Sequence, residues 1–145
     1  MIRIQPSCFL RRVLRAGAAG NILAGSAAIL LTAPLAEWLR LPEPVLVLAG
    51  LYLVAHAGLG LWLAGRAVLA EAAVWLLMGF NAAFAFASIV PLALAILTPN
   101  LLGVLVVCAE AWVALALVEL QHLGLLRSVR RSSAGTLGIR LGPQS

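Results

Sequence analysis

Leu101–Leu126 reads LLGVLVVCAEAWVALALVELQHLGLL, and this stretch decides the fold. It contains no Arg or Lys, and its only carboxylates are Glu110 and Glu119. An α-helix rises about 1.5 Å per residue, so roughly 20 apolar residues cross a bilayer core about 30 Å thick. By length and composition the stretch is a membrane-spanning helix.

Three more stretches of the same kind precede it. Thr98-Pro99-Asn100 is a tight turn leading into 101–126. Before it, 67–97 is longer than one straight span needs. Pro91 removes a backbone hydrogen bond and should kink or end that helix. The stretch 44–64 ends at Gly65-Arg66, and 16–38 is separated from it by a short loop holding Pro42. Linkers this short force neighbouring helices to run antiparallel. The expected fold is an all-α membrane protein, a four-transmembrane-helix antiparallel bundle covering 16–126. Residues 1–15 form a basic N-terminal segment. There Phe9, Leu10, Val13 and Leu14 alternate with Arg11, Arg12 and Arg15 at helical spacing, the pattern of an interfacial helix. Residues 127–145 read as a basic, flexible C-terminal tail.

The whole chain agrees with its parts. Hydrophobic residues make up 63% of the 145 and charged ones 10%. Soluble domains sit near 45–50% and about 25% on similar counts. The net charge is +5, and every basic residue is an Arg. These arginines cluster beside apolar spans, a distribution that fits an anionic leaflet and not a nucleic-acid groove. Arg3, Arg11, Arg12 and Arg15 precede the first span, Arg66 follows the second, and Arg127, Arg130, Arg131 and Arg140 follow the fourth. Only Arg40 falls on the other side, beside Glu37 and Glu43. The positive-inside rule then puts both termini in the cytoplasm, in a multi-pass protein of the bacterial inner membrane. Arg11-Arg12-Val13-Leu14-Arg15 and the later Ala33-Pro34-Leu35-Ala36 also resemble a signal peptide. Three further spans and an interfacial Trp38 favour an uncleaved first helix. Cys8 and Cys108 fall at different depths and imply no disulfide.

Helices in lipid associate through small residues. The expected packing stripes are Gly17, Asn21, Gly25 and Ala28 on the first span, and Gly60 and Ala64 on the second. On the third they are Ala82, Ala83, Ala85 and Ala87, and on the fourth Gly103, Ala111, Ala114 and Ala116.

Polar groups inside the bilayer carry the functional signal, because each is costly there. The candidate intramembrane site is Glu110, His56 and Asn81, all estimated near mid-depth. Glu110 shares a stripe with Gly103, Ala114 and Gln121. It reads either as a neutral acid bonding Asn81 or a backbone carbonyl, or as a proton, ion or substrate group paired with His56. His56 lies on one face with Tyr52 and Gly60. It reads as a hydrogen-bonded bundle histidine, a proton relay, a metal ligand or an axial haem ligand. Asn81 reads as interhelical glue or as a path-lining amide. Asn21, Glu71 and Glu119 are secondary positions, expected closer to the cytoplasmic interface. Two His and two distant Cys make a weak metal set, and no metal site is expected. Gly-x-Ser-x-Gly, His-Glu-x-x-His and phosphate-loop patterns are absent from the sequence. No catalytic residue and no cofactor are expected.

Asn81-Ala82-Ala83-Phe84-Ala85-Phe86-Ala87-Ser88 opens a pattern running through Thr98, Gly103 and Ala111. It closes at Leu117-Val118-Glu119-Leu120-Gln121-His122-Leu123-Gly124-Leu125. This pattern resembles a widespread group of small bacterial four-span membrane proteins. The resemblance implies membrane location and architecture and names no activity. Three functions stay open at this point. One is a non-enzymatic accessory or scaffold subunit, partnered by the bilayer and by a larger membrane complex or further copies of itself. The second is a small proton-coupled carrier using Glu110, His56 and Asn81. The third is a redox component binding haem or quinone near His56.

Overall fold

The computed structural model describes residues 3–140, with side chains described through Val129. Its elements in chain order are β1 (Arg3–Ile4), α1 (Cys8–Leu30), α2 (Thr32–Leu39), α3 (Glu43–Gly65), β2 (Leu69–Ala70), α4 (Glu71–Ala93) and α5 (Leu101–Arg140). Four of the five helices are long and apolar enough to cross a bilayer, namely α1, α3, α4 and α5. The exception is α2, which continues the first span. Large apolar side chains point outward along the bundle, among them Leu23, Phe86 and Trp112. Water would leave that surface unfavourable; lipid makes it ordinary. The chain has the architecture of a multi-pass, all-α membrane protein.

Local chemistry explains where the helices begin and end. Ser7 caps α1, its Oγ accepting from the Leu10 amide at 3.1 Å. The same hydroxyl donates to the Gly124 carbonyl at 3.3 Å, and the Ser7 amide donates to Ser128 Oγ at 2.9 Å. Leu10, Val13 and Leu14 are buried. The segment expected to lie along the interface is therefore the first turns of α1, drawn into the bundle by those apolar residues. The break at Leu31 (φ −110°, ψ 29°) follows from Pro34, which cannot donate to the carbonyl of Leu30. Thr32 Oγ1 donates back to the Ala28 and Ile29 carbonyls, both at 2.7 Å, and closes the seam. Arg40, in the left-handed region at φ 52°, stops α2.

Glu43 and Pro44 open α3 in the positions that suit an acid and a missing amide. Pro91 falls in the last turn of α4, which ends at Ala93; Ala95 then turns at φ 53°. In the stretch 67–97, Leu69–Ala70 is drawn off as β2, pairing antiparallel with β1 (Arg3 opposite Ala70, Ile4 opposite Leu69). The last helix runs past the boundary placed at 127. Ser128 is fully buried against the Ser7 turn, and Arg127 lies over the Phe9 ring at 4.4 Å. A flexible tail from 127 is therefore not what the described residues show: α5 continues to Arg140, and the turn after Leu126 is held by those contacts. Residues 141–145 of that tail lie outside the described residues.

Helix α1 packs chiefly on α3, and α4 on α5, with α1 also lying against α5. The α1–α3 crossing is closest where Gly25 meets Gly50. A Cβ on either would come within 2.8 Å of the other's carbonyl oxygen. Small residues set this approach, as the sequence stripe on the first span predicts. The second-span stripe, Gly60 and Ala64, is buried as expected. On the third and fourth spans Ala85, Gly103, Ala111 and Ala114 are buried, whereas Ala82, Ala83, Ala87 and Ala116 are exposed, Ala83 and Ala87 on a groove shared with Tyr52 and Val107. The apolar core is richest at the end that gathers Ile4, Leu10, Leu14, Leu63, Leu77 and Leu125. That end also carries Arg3, Arg11, Arg12, Arg15, Arg66 and Arg127.

Candidate functional site

At mid-bundle each spanning helix contributes a buried polar side chain. They are Asn21 from α1, His56 from α3, Asn81 from α4 and Gln121 from α5, and all four are buried. At about 1.5 Å per residue Asn21, His56 and Asn81 lie roughly 14–20 Å from Cys8, Gly65 and Glu71 at the basic end, and Gln121 roughly 12 Å from Val129. Two pairs form. Asn21 Nδ2 bonds His56 Nδ1 at 3.0 Å, and Asn81 Nδ2 donates to Gln121 Oε1 at 3.3 Å.

The His56 tautomer follows from its neighbours. The Leu77 carbonyl, 3.4 Å from Nε2, can only accept, so Nε2 carries the proton. In a neutral ring Nδ1 is then an acceptor and requires a donor, which the Asn21 amide supplies. Tyr52 stacks on the same imidazole, with centroids 6.0 Å apart and planes at 14°. The Tyr52 hydroxyl reaches across to α4, donating to the Phe80 carbonyl at 2.6 Å, and its ring stacks on Phe84 at 5.1 Å. Among the described residues no buried side-chain nitrogen or oxygen lacks a hydrogen-bond partner. A satisfied layer of this kind fixes which helix faces meet.

The space inside the layer is small. Asn21, His56 and Gln121 share a cavity of about 10 Å³ with Gly17, Leu77 and Leu117. That is room for one water molecule at most.

Glu110 belongs to neither pair. It is half-buried on an open groove of about 370 Å³ between α1 and α5, opposite Gly17, Gly20, Asn21 and Ala24. The candidate trio thus separates. His56 and Asn81 enter the layer through Asn21 and Gln121, and Glu110 lies on the far side of Asn21. Gly17, Asn21 and Leu117 line both the groove and the inner cavity, so the two spaces stand back to back.

The secondary positions also sort themselves. Asn21 is level with His56, its hydrogen-bond partner, and not nearer the basic end as expected, because α1 begins at Cys8, eight residues before the expected start of the span. Glu71 opens α4, where the helix dipole favours an acid, and accepts from Trp75 Nε1 at 3.3 Å. Glu119 is exposed on another face of α5. The sequence reading places Gln121 on the Glu110 stripe without marking it as a site residue. The usable signal is its spacing from Gly103 and Ala114, both buried on the same helix.

Among the described residues no three His, Cys, Asp or Glu side chains gather in one place. Both His56 nitrogens are already engaged within the chain. Comparison with known protein families, curated proteins and solved structures finds no match for this chain.

Proposed function

We propose that the chain is a non-enzymatic membrane protein, an accessory or scaffold subunit of a larger membrane complex. One observation carries this reading. Asn21, His56, Asn81 and Gln121, one from each span, are spent on one another, and the cavity that Asn21, His56 and Gln121 share is only about 10 Å³. Such a layer makes a rigid, uniquely registered four-helix unit, which is what a subunit offers a partner. A pull-down of the tagged protein from native membranes in mild detergent, read by mass spectrometry and absorbance, tests it. A stoichiometric larger partner is the expected result. A lone protein with flux activity in vesicles would overturn it.

The second reading, a proton-coupled carrier, draws on Glu110. The acid lines a groove that backs onto the polar layer through Asn21. A haem-binding role at His56 draws least support, since a ligand would have to displace Asn21 or the Leu77 carbonyl. An absorbance spectrum without a Soret band would dispose of it.

The proposal places the chain in the bacterial inner membrane with both ends cytoplasmic, on the nine-to-one division of its arginines. Cys8 stands exposed at the basic end. A membrane-impermeant maleimide should leave it unmodified in intact cells; labelling from outside would reverse the orientation.

A further inference from the structure

The short ladder between β1 and β2 has a chemical consequence. Ile4 and Leu69, opposite each other in it, are both buried and pin the ladder to the basic end of the core. Arg3, at the other rung, is thereby carried to the loop that follows α3, beside Arg66. The two arginines line one groove of about 380 Å³, with Trp62, Val68, Leu69 and Ala70 as its other walls.

That groove is divided. One part presents two exposed guanidinium groups and the other presents exposed apolar surface from Trp62 and Val68. The Arg66 guanidinium lies over the Trp62 ring, 4.4 Å from its centroid. Arg11 donates to the Arg66 carbonyl at 3.1 Å and holds the loop from behind. Among the described residues no acidic side chain lines the groove.

Arginine's planar fork matches the paired oxygens of a phosphate, and two forks at one site favour a phosphate over a point anion. Tryptophan beside arginine at the end of a spanning helix belongs at the depth of lipid headgroups and upper acyl chains. A ligand that needs both halves carries a phosphate and a hydrocarbon tail on one molecule. With no carboxylate in the groove to receive an ammonium or choline, a headgroup of net negative charge fits and a zwitterionic one does not. We propose that the Arg3–Trp62–Arg66 groove is a binding site for the phosphate headgroup of an anionic phospholipid.

The test is native mass spectrometry of the purified full chain in non-ionic detergent, offered phosphatidylglycerol or phosphatidylcholine of matched tails. The wild type should retain phosphatidylglycerol at least about fivefold better, as paired guanidinium–phosphate contacts predict. The Arg3→Gln/Arg66→Gln variant should bring retention down to the phosphatidylcholine level. Arg12→Gln/Arg15→Gln, which removes the same charge from exposed positions on α1, should keep it. Equal loss in both variants would mean diffuse attraction by a basic surface and overturns the site. So does a wild type with no preference between the lipids. Displacement of phosphatidylglycerol by millimolar inorganic phosphate alone would overturn the lipid assignment in favour of a soluble phosphate. Should the Gln pair fail to fold, Arg3→Lys/Arg66→Lys keeps the charge and removes the forks. Retention should then fall by roughly threefold, and unchanged retention would overturn the proposal.

Discussion

The amide of Asn21 on α1 donates to Nδ1 of His56 on α3 across 3.0 Å, and the pair lies back to back with the groove that holds Glu110. The bond joins the two helices that pack most extensively on each other, at the level where α4 and α5 are joined by Asn81 and Gln121. The bundle therefore carries one polar layer contributed by all four spans.

Removing the donor should be felt at His56. Asn21→Leu leaves Nδ1 buried without a partner. Interhelical hydrogen bonds in membranes average about 0.6 kcal/mol and reach about 1.7. A loss of about 1–2 kcal/mol is expected in reversible unfolding by sodium dodecyl sulfate, the upper part reflecting the orphaned nitrogen. A cycle with His56→Phe should show the two changes to be non-additive, the double variant losing less than the sum. Additive losses would mean that the bond contributes nothing of its own.

Gly25 and Gly50 make a steric prediction of opposite character to their neighbours. Alanine at either site places a methyl carbon 2.8 Å from a backbone oxygen of the facing helix, and neither backbone can yield without opening the α1–α3 crossing. Each substitution should cost about 1–3 kcal/mol in the same unfolding assay. Gly58→Ala and Gly79→Ala, where a new methyl meets nothing within 4 Å, should be neutral within about 0.5 kcal/mol. Equal tolerance at all four positions would contradict the observed crossing.

Spans, connectivity and fold class are legible in the sequence because lipid imposes a length and a hydropathy that no other environment demands. Pro91 and the Thr98-Pro99-Asn100 turn are legible for the same local reasons. What pairs with what is not. The sequence puts Asn21 on a packing stripe but too near the basic end, since the helical pattern of Phe9, Leu10, Val13 and Leu14 among arginines reads as an interfacial segment and not as the first turns of α1. Glu110 and Gln121 are eleven residues apart on one face, yet only Gln121 turns inward. A few tens of degrees of helix rotation decide that, and the rotation is set by neighbours such as Ala111 and Ala114 in the α4 interface. The pairing of Arg3 with the Arg66 loop depends on a ladder of two residues, too short to leave a periodic signal.

At the far end of the bundle Asn100 does the work of a clasp. Its Oδ1 accepts from the Gly103 amide at 2.9 Å, and its Nδ2 donates to the Trp38 carbonyl at 2.7 Å. The first contact caps α5 and the second ties that cap to α2. Asn100→Ala removes both and should cost about 1–2 kcal/mol, as loss of a helix cap does. The change should appear first as faster amide exchange in the opening turn of α5, with the polar layer still protected. Uniform loss of protection would mean that Asn100 supports the whole bundle and not that end alone.

Glu110→Gln separates the two leading functional readings. The amide is isosteric with the acid and equally able to hydrogen-bond, but it cannot take up and release a proton. Glu110 lies outside both polar pairs, so the substitution should leave the Asn21–His56 and Asn81–Gln121 bonds in place, and unfolding should shift by less than about 0.5 kcal/mol. As an accessory subunit, the variant should recover its partner from membranes in wild-type yield. As a carrier, it should fold and assemble normally while proton-coupled flux in vesicles falls by about tenfold or more, because the acid on the groove is the one candidate placed to exchange a proton from an open space. Intact partner recovery with no flux in either protein supports the subunit reading. Flux in the wild type that vanishes in the variant moves the function to Glu110, and makes Asn21, the shared wall between groove and layer, the next residue to change.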